Sequence, residues 1–267
     1  MRRIPEDNLA YPVLISLGQS IGSGFFLNTG DASYLVTASH VLFDKQTQKP
    51  LATKVTLTSY PKENTNHEKT VQELDLTSMI AAGEIKIDFS RDIAVVRIGI
   101  KSPTDDELFL PAGLTVVSLA SKGIICVPLS GVKKFNDVTI SNDIIIFGYP
   151  VSLGLPHIPQ LDYSHPLLRT GIVAGKNDML GSIILDCPVY PGNSGGPVLE
   201  VEQVGLNYHY RVIGVVIEFV PTTAIVLGTP STSAVVNSGY SVAAAMDGVL
   251  TLVGQFPDPF KSTQPAP

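Results

Sequence analysis

YPGNSGGP, residues 190–197, places a serine, Ser194, in a glycine-rich turn between two apolar runs. Glycine tolerates a positive φ, and without a side chain it lets another molecule approach the main chain closely. Successive amide N–H groups in such a turn can point into one concavity and bind a developing negative charge. A serine hydroxyl beside this concavity is suited to acyl transfer, although a lone Ser-Gly-Gly is usually an ordinary hairpin turn. The interpretation therefore depends on whether a base and an acid accompany the serine.

Both residues occur upstream of the serine. The stretch SYLVTASHVL, residues 33–42, reads as a strand that runs into His40, and RDIAVVRI, residues 91–98, has Asp92 at the start of another strand. The order His40, Asp92, Ser194 is one of the chain orders in which hydrolytic triads occur. Taken alone, His40 could be a core histidine and Asp92 a turn cap, but together with Ser194 they indicate nucleophilic catalysis.

The three segments resemble the trypsin-like (chymotrypsin-fold) serine peptidases. The HtrA-like branch is the most similar, because its serine motif also reads PGNSGGP, and the resemblance runs from about Ile21 to Val253. It implies an all-β fold of two six-stranded antiparallel Greek-key β-barrels with the active site between them. The many short β-rich runs separated by turns agree with this class. Only the end of the chain, Ala243–Val253, has helical spacing, which predicts a short C-terminal helix.

The expected organisation has four parts. Residues 9–105 form the barrel that carries His40 and Asp92, residues 106–142 a linker with an insertion, residues 143–254 the barrel that carries Ser194, and residues 255–267 a disordered tail. The tail is assigned because four of its last twelve residues are proline.

Each candidate residue has a chemical role. The Ser194 hydroxyl is a weak nucleophile that needs a positioned base. A histidine titrates near neutral pH, so His40 can accept the hydroxyl proton and return it to the leaving amine. Asp92 orients the imidazole, and the backbone N–H groups of Gly192 and Ser194 form the oxyanion hole. These residues predict a serine endopeptidase that acts through an acyl-enzyme on a protein or peptide substrate.

A rival from another fold fails on the same turn. Residues 192–196, GNSGG, also satisfy the G-x-S-x-G pattern of an α/β-hydrolase, which requires a helix after the serine and then an acid and a histidine downstream. Here Gly195, Gly196 and Pro197 are poor helix formers. The only downstream histidine, His209, precedes any strong acid candidate.

A non-enzymatic alternative stays open. In it, the chain is a catalytically silent or partner-activated trypsin-fold protein that acts as a peptide-binding module, because fold alone does not imply function. The complete His40, Asp92 and Ser194 set argues against this alternative, since a binding scaffold does not need all three.

The composition limits the partners and the compartment. The 267 residues carry a net charge of −6, which argues against nucleic acid and anionic membranes as partners. No apolar run approaches the roughly 20 residues of a spanning helix. The start of the chain is a poor signal peptide, because Glu6, Asp7 and Pro12 interrupt it. The two cysteines, Cys126 and Cys187, are too few for a secreted disulfide framework, so a cytoplasmic location is expected.

No cofactor is expected. The four histidines other than His40 are scattered and lack cysteine or acidic neighbours at the spacing of metal ligands, so they predict no metal site. No glycine run has the position, between a strand and a helix, that phosphate and dinucleotide loops need.

The resemblance also implies a specificity pocket and a mode of control. The residues it assigns to the pocket are Pro188, Ile217, Glu218, Phe219, Gly239 and Ser241. Their apolar majority favours an aliphatic or small aromatic side chain before the scissile bond, but Glu218 would favour a basic one if it turned inward. Strand alternation allows either orientation. Asn193 replaces the aspartate that pairs with the new N-terminus of secreted trypsins, so no such activation is expected, although control by a partner protein stays open. The PDZ domain common in the HtrA-like branch is not expected after this peptidase domain.

Overall fold

The computed structural model describes residues 4–18, 20–61, 68–102, 107–121, 123–149, 165–226 and 232–257. These residues form two mainly antiparallel β-sheets that pack against each other, with a few short helices. The helices are α1 (Glu6–Leu9), α2 (Ser39–Leu42), α3 (Leu76–Ala81) and α4 (Met246–Val253), and two single 3-10 turns lie at Leu129–Gly131 and Phe135–Asp137.

The first sheet has ten strands in the described part of the chain. They are β1 (Pro12–Leu17), β2 (Ser20–Asn28), β3 (Ala32–Ala38), β4 (Lys54–Ser59), β5 (Thr70–Asp75), β6 (Ile85–Asp88), β7 (Ile93–Lys101), β8 (Leu108–Phe109), β9 (Leu114–Ser118) and β10 (Val127–Pro128). The main path runs β6-β7-β3-β2-β1-β4-β5-β9.

Strand β3 is mostly apolar and does not alternate between apolar and polar residues. All seven of its residues are buried, because the sheet is covered on both faces. Tyr34 and Val36 face a core shared with the second sheet, and Leu35 faces the interior of the first sheet. His40 therefore follows closely after a fully buried strand.

The second sheet closes into a barrel of six antiparallel strands in the order β11-β12-β13-β16-β15-β14. Its strands are β11 (Asp143–Gly148), β12 (Leu167–Asn177), β13 (Ser182–Asp186), β14 (Pro197–Val204), β15 (Asn207–Val226) and β16 (Thr232–Ala245). A separate apolar cluster fills it, including Ile144, Val173 and Ile213. The core that the two sheets share contains Phe25 and Val95 from the first sheet and Phe147 and Val215 from the second.

The all-β fold class, the six-stranded second barrel and the C-terminal helix are confirmed. The first sheet differs from the expected closed six-stranded barrel, because in its described part the strands do not close. Strand β6 pairs with β7 and strand β9 pairs with β5, so these two strands occupy the edges that would otherwise meet.

The segment expected to be a linker with an insertion, residues 106–142, is partly strand. Strands β8, β9 and β10 lie within it and pair with β7, β5 and β2 of the first sheet. The segment then reaches the second barrel, where the Lys133 N–H donates to the carbonyl of Val212 at 2.9 Å. The apolar runs of this segment form short strands that pair with the first sheet. The sequence alone does not show these partners, and the runs were therefore interpreted as an insertion.

Two details at the C-terminus also differ from expectation. Helix α4 begins at Met246, because Ala243–Ala245 belong to strand β16 and pair with β13 and β15. The expected disordered tail, 255–267, begins with packed residues: the Phe256 ring lies 5.2 Å from the Tyr34 ring, and Arg97 Nη1 donates to the Pro257 carbonyl at 2.8 Å. Residues 258–267 lie outside the described residues.

Gly171 provides a test of barrel packing. A Cβ at this position in β12 would lie 2.6 Å from the Cβ of Cys187 and closer still to the backbone of Asp186. Gly171→Ala should therefore lower the free energy of unfolding by about 1–3 kcal/mol, measured by urea denaturation. The control is Gly175→Ala on the same strand, where a Cβ would meet nothing within 4 Å. Equal losses in the two variants would contradict this packing.

Candidate active site

The histidine and the aspartate meet where β3 ends and the neighbouring strand β7 begins. Helix α2 begins directly after β3 and carries His40, and Asp92 immediately precedes β7, which pairs with β3. The His40 Nδ1 atom lies 2.7 Å from Asp92 Oδ2. The Ser39 hydroxyl and the His40 backbone N–H donate to Asp92 Oδ1 at 2.6 and 3.0 Å. Asp92 has a φ of 57°, a left-handed conformation that aspartate tolerates better than most residues.

The surroundings of Asp92 hold it ionised. Burial raises the pKa of its carboxyl, but hydrogen bonding and charge from His40, with hydrogen bonds from Lys45 and Ser39, outweigh burial, so the pKa lies well below its usual range. The carboxylate is thus charged throughout the pH range of normal enzyme function. It can hold an N–H at His40 Nδ1 and leave Nε2 free to act as a base.

The serine turn is built by the residues that the sequence marked. The Asn193 N–H donates to the Tyr190 carbonyl at 2.9 Å, which closes a four-residue turn with Pro191 and Gly192 at its centre. Gly192 has a φ of 95°, as a type II turn with a central Pro-Gly requires. The Asn193 side chain is buried and accepts the Tyr190 N–H at 3.2 Å. The turn is thereby held by its own residues.

Two backbone N–H groups in this turn are available to donate the hydrogen bonds that an oxyanion hole needs. Among the hydrogen bonds of the described residues, none uses the backbone N–H of Gly192 or of Ser194. Both residues line the same cleft as His40. In the same part of the chain, no hydrogen bond joins Ser194 Oγ to His40, and such contacts are often long before substrate binds.

Ser23 connects the serine turn to the first sheet, and the sequence interpretation missed it. It is fully buried in β2, its N–H donates to the Ser194 carbonyl at 2.8 Å, and its hydroxyl donates to the Gly192 carbonyl at 2.6 Å. The Tyr149 N–H donates to the same hydroxyl at 3.0 Å. The sequence signal is the run Gly22-Ser23-Gly24, in which a Cβ at Gly22 would clash with Val41 and one at Gly24 with the Val36 carbonyl.

A cleft of about 370 Å³ lies between the two sheets and contains His40 and Ser194. Its apolar lining includes Leu17, Ile21, Val41, Leu51, Val189 and Ile217, and its charged members are Lys45 and Glu218. The cleft is therefore mainly apolar, with one charge of each sign.

The predicted pocket residues separate into two groups. Ile217, Glu218 and Phe219 all line the cleft. Pro188, Gly239 and Ser241 are not part of the lining. Ser241 is fully buried and its hydroxyl donates to the Cys187 carbonyl at 2.8 Å, because it lies in the barrel wall between β13 and β15.

A β-bulge explains why three consecutive residues reach the cleft. The register between β15 and β16 shifts between Val216 and Glu218, so Ile217 has no partner residue. A bulge interrupts strict strand alternation. Strand alternation would have placed either Glu218 or its two neighbours in the cleft. Because of the bulge, all three residues line it.

Lys45, which lines the cleft, is the second residue of the site that the sequence interpretation missed. It lies in the turn after α2, and its Nζ is 2.8 Å from Asp92 Oδ2, the oxygen that His40 Nδ1 also contacts. No motif marked it, because a lysine in a polar turn is common. Only the folded geometry brings it to the carboxylate.

A two-sheet β fold with a His–Asp pair on one sheet and a glycine-flanked serine on the other defines the chymotrypsin-like class. A family model described as a trypsin-like peptidase domain matches residues 22–206, and the chain belongs to this family. No curated protein matches the chain in sequence.

Solved structures agree in fold. The HtrA-type protease AlgW, with tripeptide, matches at 15% identity and a TM-score of 0.51, Deg5 at 16% and 0.54, and a Glu endopeptidase at 13% and 0.55. The matches cover 92–93% of this chain. They span 60% of the AlgW chain, 90% of Deg5 and 89% of the Glu endopeptidase.

Within the described residues, every helix is too short or too polar to cross a lipid bilayer. In the same residues, no three potential ligands among histidine, cysteine, aspartate and glutamate lie close enough together to hold a metal ion.

The ionised Asp92 should make the free energy of unfolding decrease at low pH. Because the folded protein lowers the pKa of this carboxyl below the unfolded value of about 3.9, its contribution is present above that pH and is lost as the pH falls. Between pH 5 and pH 3 the wild type should lose about 1 kcal/mol more unfolding free energy than Asp92→Asn. Urea denaturation at both pH values measures this loss. Asp178→Asn, an exposed carboxylate between β12 and β13, should keep the wild-type loss. An equal loss in Asp92→Asn would contradict the assignment.

Proposed function

We propose that this trypsin-like peptidase is a serine endopeptidase that cleaves peptide bonds through His40, Asp92 and Ser194. The observation that carries the proposal is the joining of two separate motifs in one cleft. A partly buried His40–Asp92 pair from the first sheet opens into the same 370 Å³ space as Ser194 from the second. Family membership supports the peptidase class.

The reaction follows from these positions. Ser194 Oγ forms a bond to the scissile carbonyl carbon as its proton passes to His40 Nε2. The oxygen of the tetrahedral intermediate becomes negative and accepts the N–H groups of Gly192 and Ser194. The carbon–nitrogen bond then breaks, and the imidazolium gives its proton to the leaving amine. Water, deprotonated by His40, hydrolyses the acyl-enzyme and restores the serine.

Asp92 has the positioning role in this reaction. Its Oδ2 accepts the Nδ1–H of His40, which selects the tautomer with a free Nε2 and stabilises the imidazolium. The Ser39 hydroxyl and the His40 N–H both hold Oδ1, so the carboxylate is held before substrate arrives. Preorganisation of this kind lowers the reorganisation needed in the transition state.

Asn193 supports a site that forms without a cleaved N-terminus. Its side chain bonds within its own turn, and the Gly192 carbonyl is held by Ser23. These contacts hold the turn in place, the role that the resemblance gives to a new ion pair in secreted trypsins. The cytoplasmic location and a regulatory partner stay predictions.

The lining of the cleft supports an apolar side chain before the scissile bond. Ile217, Phe219 and Val189 are apolar, and Tyr190 is backed by Arg169, whose Cζ lies 4.5 Å from the ring centre. This position of the arginine over the ring is a favourable cation–π contact. Glu218 is exposed at the rim, where water can solvate its carboxylate. The geometry thus favours an aliphatic or small aromatic residue.

Replacement of the nucleophile tests the reaction. Ser194→Ala should lower kcat by a factor on the order of 10⁶, and Asp92→Asn by about 10⁴ because it favours the wrong tautomer. Ser194→Ala should also abolish labelling by a fluorophosphonate probe. Ser20→Ala removes another hydroxyl from the same cleft and should retain labelling. A folded wild type that the probe does not label would instead favour the silent, peptide-binding alternative.

Peptide-library profiling tests the pocket. The wild type should prefer a medium aliphatic or small aromatic residue before the scissile bond, and Glu218→Gln should keep this preference because the carboxylate lies at the rim. The control is Glu73→Gln, on β5 outside the cleft. A preference for lysine or arginine that Glu218→Gln abolishes would overturn the apolar assignment.

A further inference from the structure

Ser23 bonds to both residues that would donate to the oxyanion hole. Its hydroxyl donates to the Gly192 carbonyl at 2.6 Å, and its backbone N–H donates to the Ser194 carbonyl at 2.8 Å. In the part of the chain that the structure describes, the N–H groups of the same two residues take part in no hydrogen bond. Ser23 thus holds the carbonyl end of each residue and leaves its N–H available to a substrate.

The first of these bonds fixes the Gly192–Asn193 peptide group. Its carbonyl accepts the Ser23 hydroxyl, and its N–H donates to the Tyr190 carbonyl at 2.9 Å. A peptide group is planar, so this one cannot rotate without losing both hydrogen bonds. The first sheet therefore supplies one of the two bonds that fix its orientation.

The Ser194–Gly195 peptide group is held in the same way. Its carbonyl accepts the Ser23 N–H, and its N–H donates to the Val216 carbonyl at 2.7 Å. The peptide group between the two held ones carries the N–H of Ser194. That N–H is therefore held in position from both sides.

The N–H of Gly192 depends more strongly on the Ser23 hydroxyl. Glycine has the widest range of φ and ψ, and the preceding Pro191 has no N–H with which to bond the turn. Among the hydrogen bonds of the described residues, the one from the Ser23 hydroxyl is the one that Gly192 makes. Without it, the backbone of Gly192 would be held only through its neighbours.

Tyr149 sets the direction of the Ser23 hydroxyl. The Tyr149 backbone N–H, which can only donate, lies 3.0 Å from Ser23 Oγ, so the oxygen accepts this bond. The single hydroxyl proton then goes to the Gly192 carbonyl, which can only accept. Ser23 and Tyr149 are both buried, and hydrogen bonds are stronger in such a low-dielectric interior than in water.

We propose that Ser23 is a positioning residue whose hydroxyl sets the place of the Gly192 N–H in the oxyanion hole. This inference rests on the proposed function where it concerns activity. Donors stabilise a developing oxyanion best when they are in place before the reaction. Loss of the Ser23 hydroxyl should therefore destabilise the transition state more than the bound substrate.

Ser23→Ala removes the hydroxyl and keeps the backbone bond to Ser194. It should lower kcat by about 10- to 100-fold, because a displaced donor costs part of the roughly 10²- to 10³-fold that is lost with a donor removed outright. KM should change less than about threefold, since the ground state is little affected. Steady-state kinetics on one peptide substrate measures both.

A transition-state analogue gives a second readout. The carbonyl carbon of a peptidyl trifluoromethyl ketone bonds to Ser194 Oγ, and its oxygen becomes the oxyanion. Its affinity should fall in Ser23→Ala by about the same factor as kcat/KM. Binding of the uncleaved peptide, measured by calorimetry in the Ser194→Ala background, should change less than about threefold when Ser23→Ala is added.

The control for loss of a buried hydrogen bond is Thr70→Val. Thr70 is buried in β5 outside the cleft, and its hydroxyl accepts the Ala120 N–H at 3.0 Å. Thr70→Val should keep kcat and the ketone affinity within about twofold of the wild type. A fall in kcat as large as that of Ser23→Ala would reject the positioning role, because activity would then follow stability alone.

Amide hydrogen exchange provides a readout that needs no activity. The Asn193 N–H belongs to the peptide group whose carbonyl Ser23 holds, so its exchange, followed by NMR, should be at least about tenfold faster in Ser23→Ala. In Thr70→Val the exchange at Asn193 should match the wild type once the change in global stability is subtracted.

The outcomes separate this inference from the proposed function. Faster exchange at Asn193 in Ser23→Ala with no peptidase activity in the wild type would support the hold of Ser23 on the turn and reject the endopeptidase. An active wild type with unchanged kcat and ketone affinity in Ser23→Ala would reject the role of Ser23 alone. Should Ser23→Ala fail to fold, Ser23→Gly removes the same hydroxyl with a smaller side chain, and the same outcomes apply.

Discussion

The hydrogen bonds of Ser23 are the constraint on which the rest of the site depends. This buried residue in β2 donates to the carbonyl groups of Gly192 and Ser194, and its own carbonyl accepts the Thr37 hydroxyl at 2.7 Å. A Cβ on Gly195 would clash with the Ser23 carbonyl oxygen and the Thr37 hydroxyl oxygen. Glycine is thus required where the serine turn packs against the first sheet. These contacts hold the turn that contains Ser194, in the second barrel, against the sheet that contains His40.

Much of the fold could be predicted because its signals are local. Strand β7 and strand β11 appear as short apolar runs, and packing on both faces explains why they lack alternation. The three candidate catalytic residues lie in short motifs whose neighbours have specific backbone tasks. Gly192 provides the positive φ of the turn, and the buried side chain of Asn193 closes it. Motifs of this kind carry their own geometry.

The remaining features depend on contacts between distant parts of the chain. The bulge at Ile217 has no glycine to announce it, and it arises from the register of β15 against β16. Strands β8 and β9 are too short to stand out, and they form because edges of the first sheet are available. Arg97 explains the packed start of the tail, since it pairs with Glu84 at 2.6 and 2.9 Å and then holds the Pro257 carbonyl. The contact between Arg97 and Pro257 joins residues that are 160 positions apart, and no short stretch of sequence contains both.

The division of the site between the two sheets has a consequence for how the protein is made. Ribosomes synthesise His40 and Asp92 first, Ser194 much later, and β15 and β16 later still, so the barrel that displays the serine closes only near the end of synthesis. A nascent chain therefore contains His40 and Asp92 before Ser194, and it contains Ser194 before β15 and β16. The proposed active site can therefore assemble only after nearly the whole chain has been synthesised, because β15 and β16 follow Ser194 in the sequence.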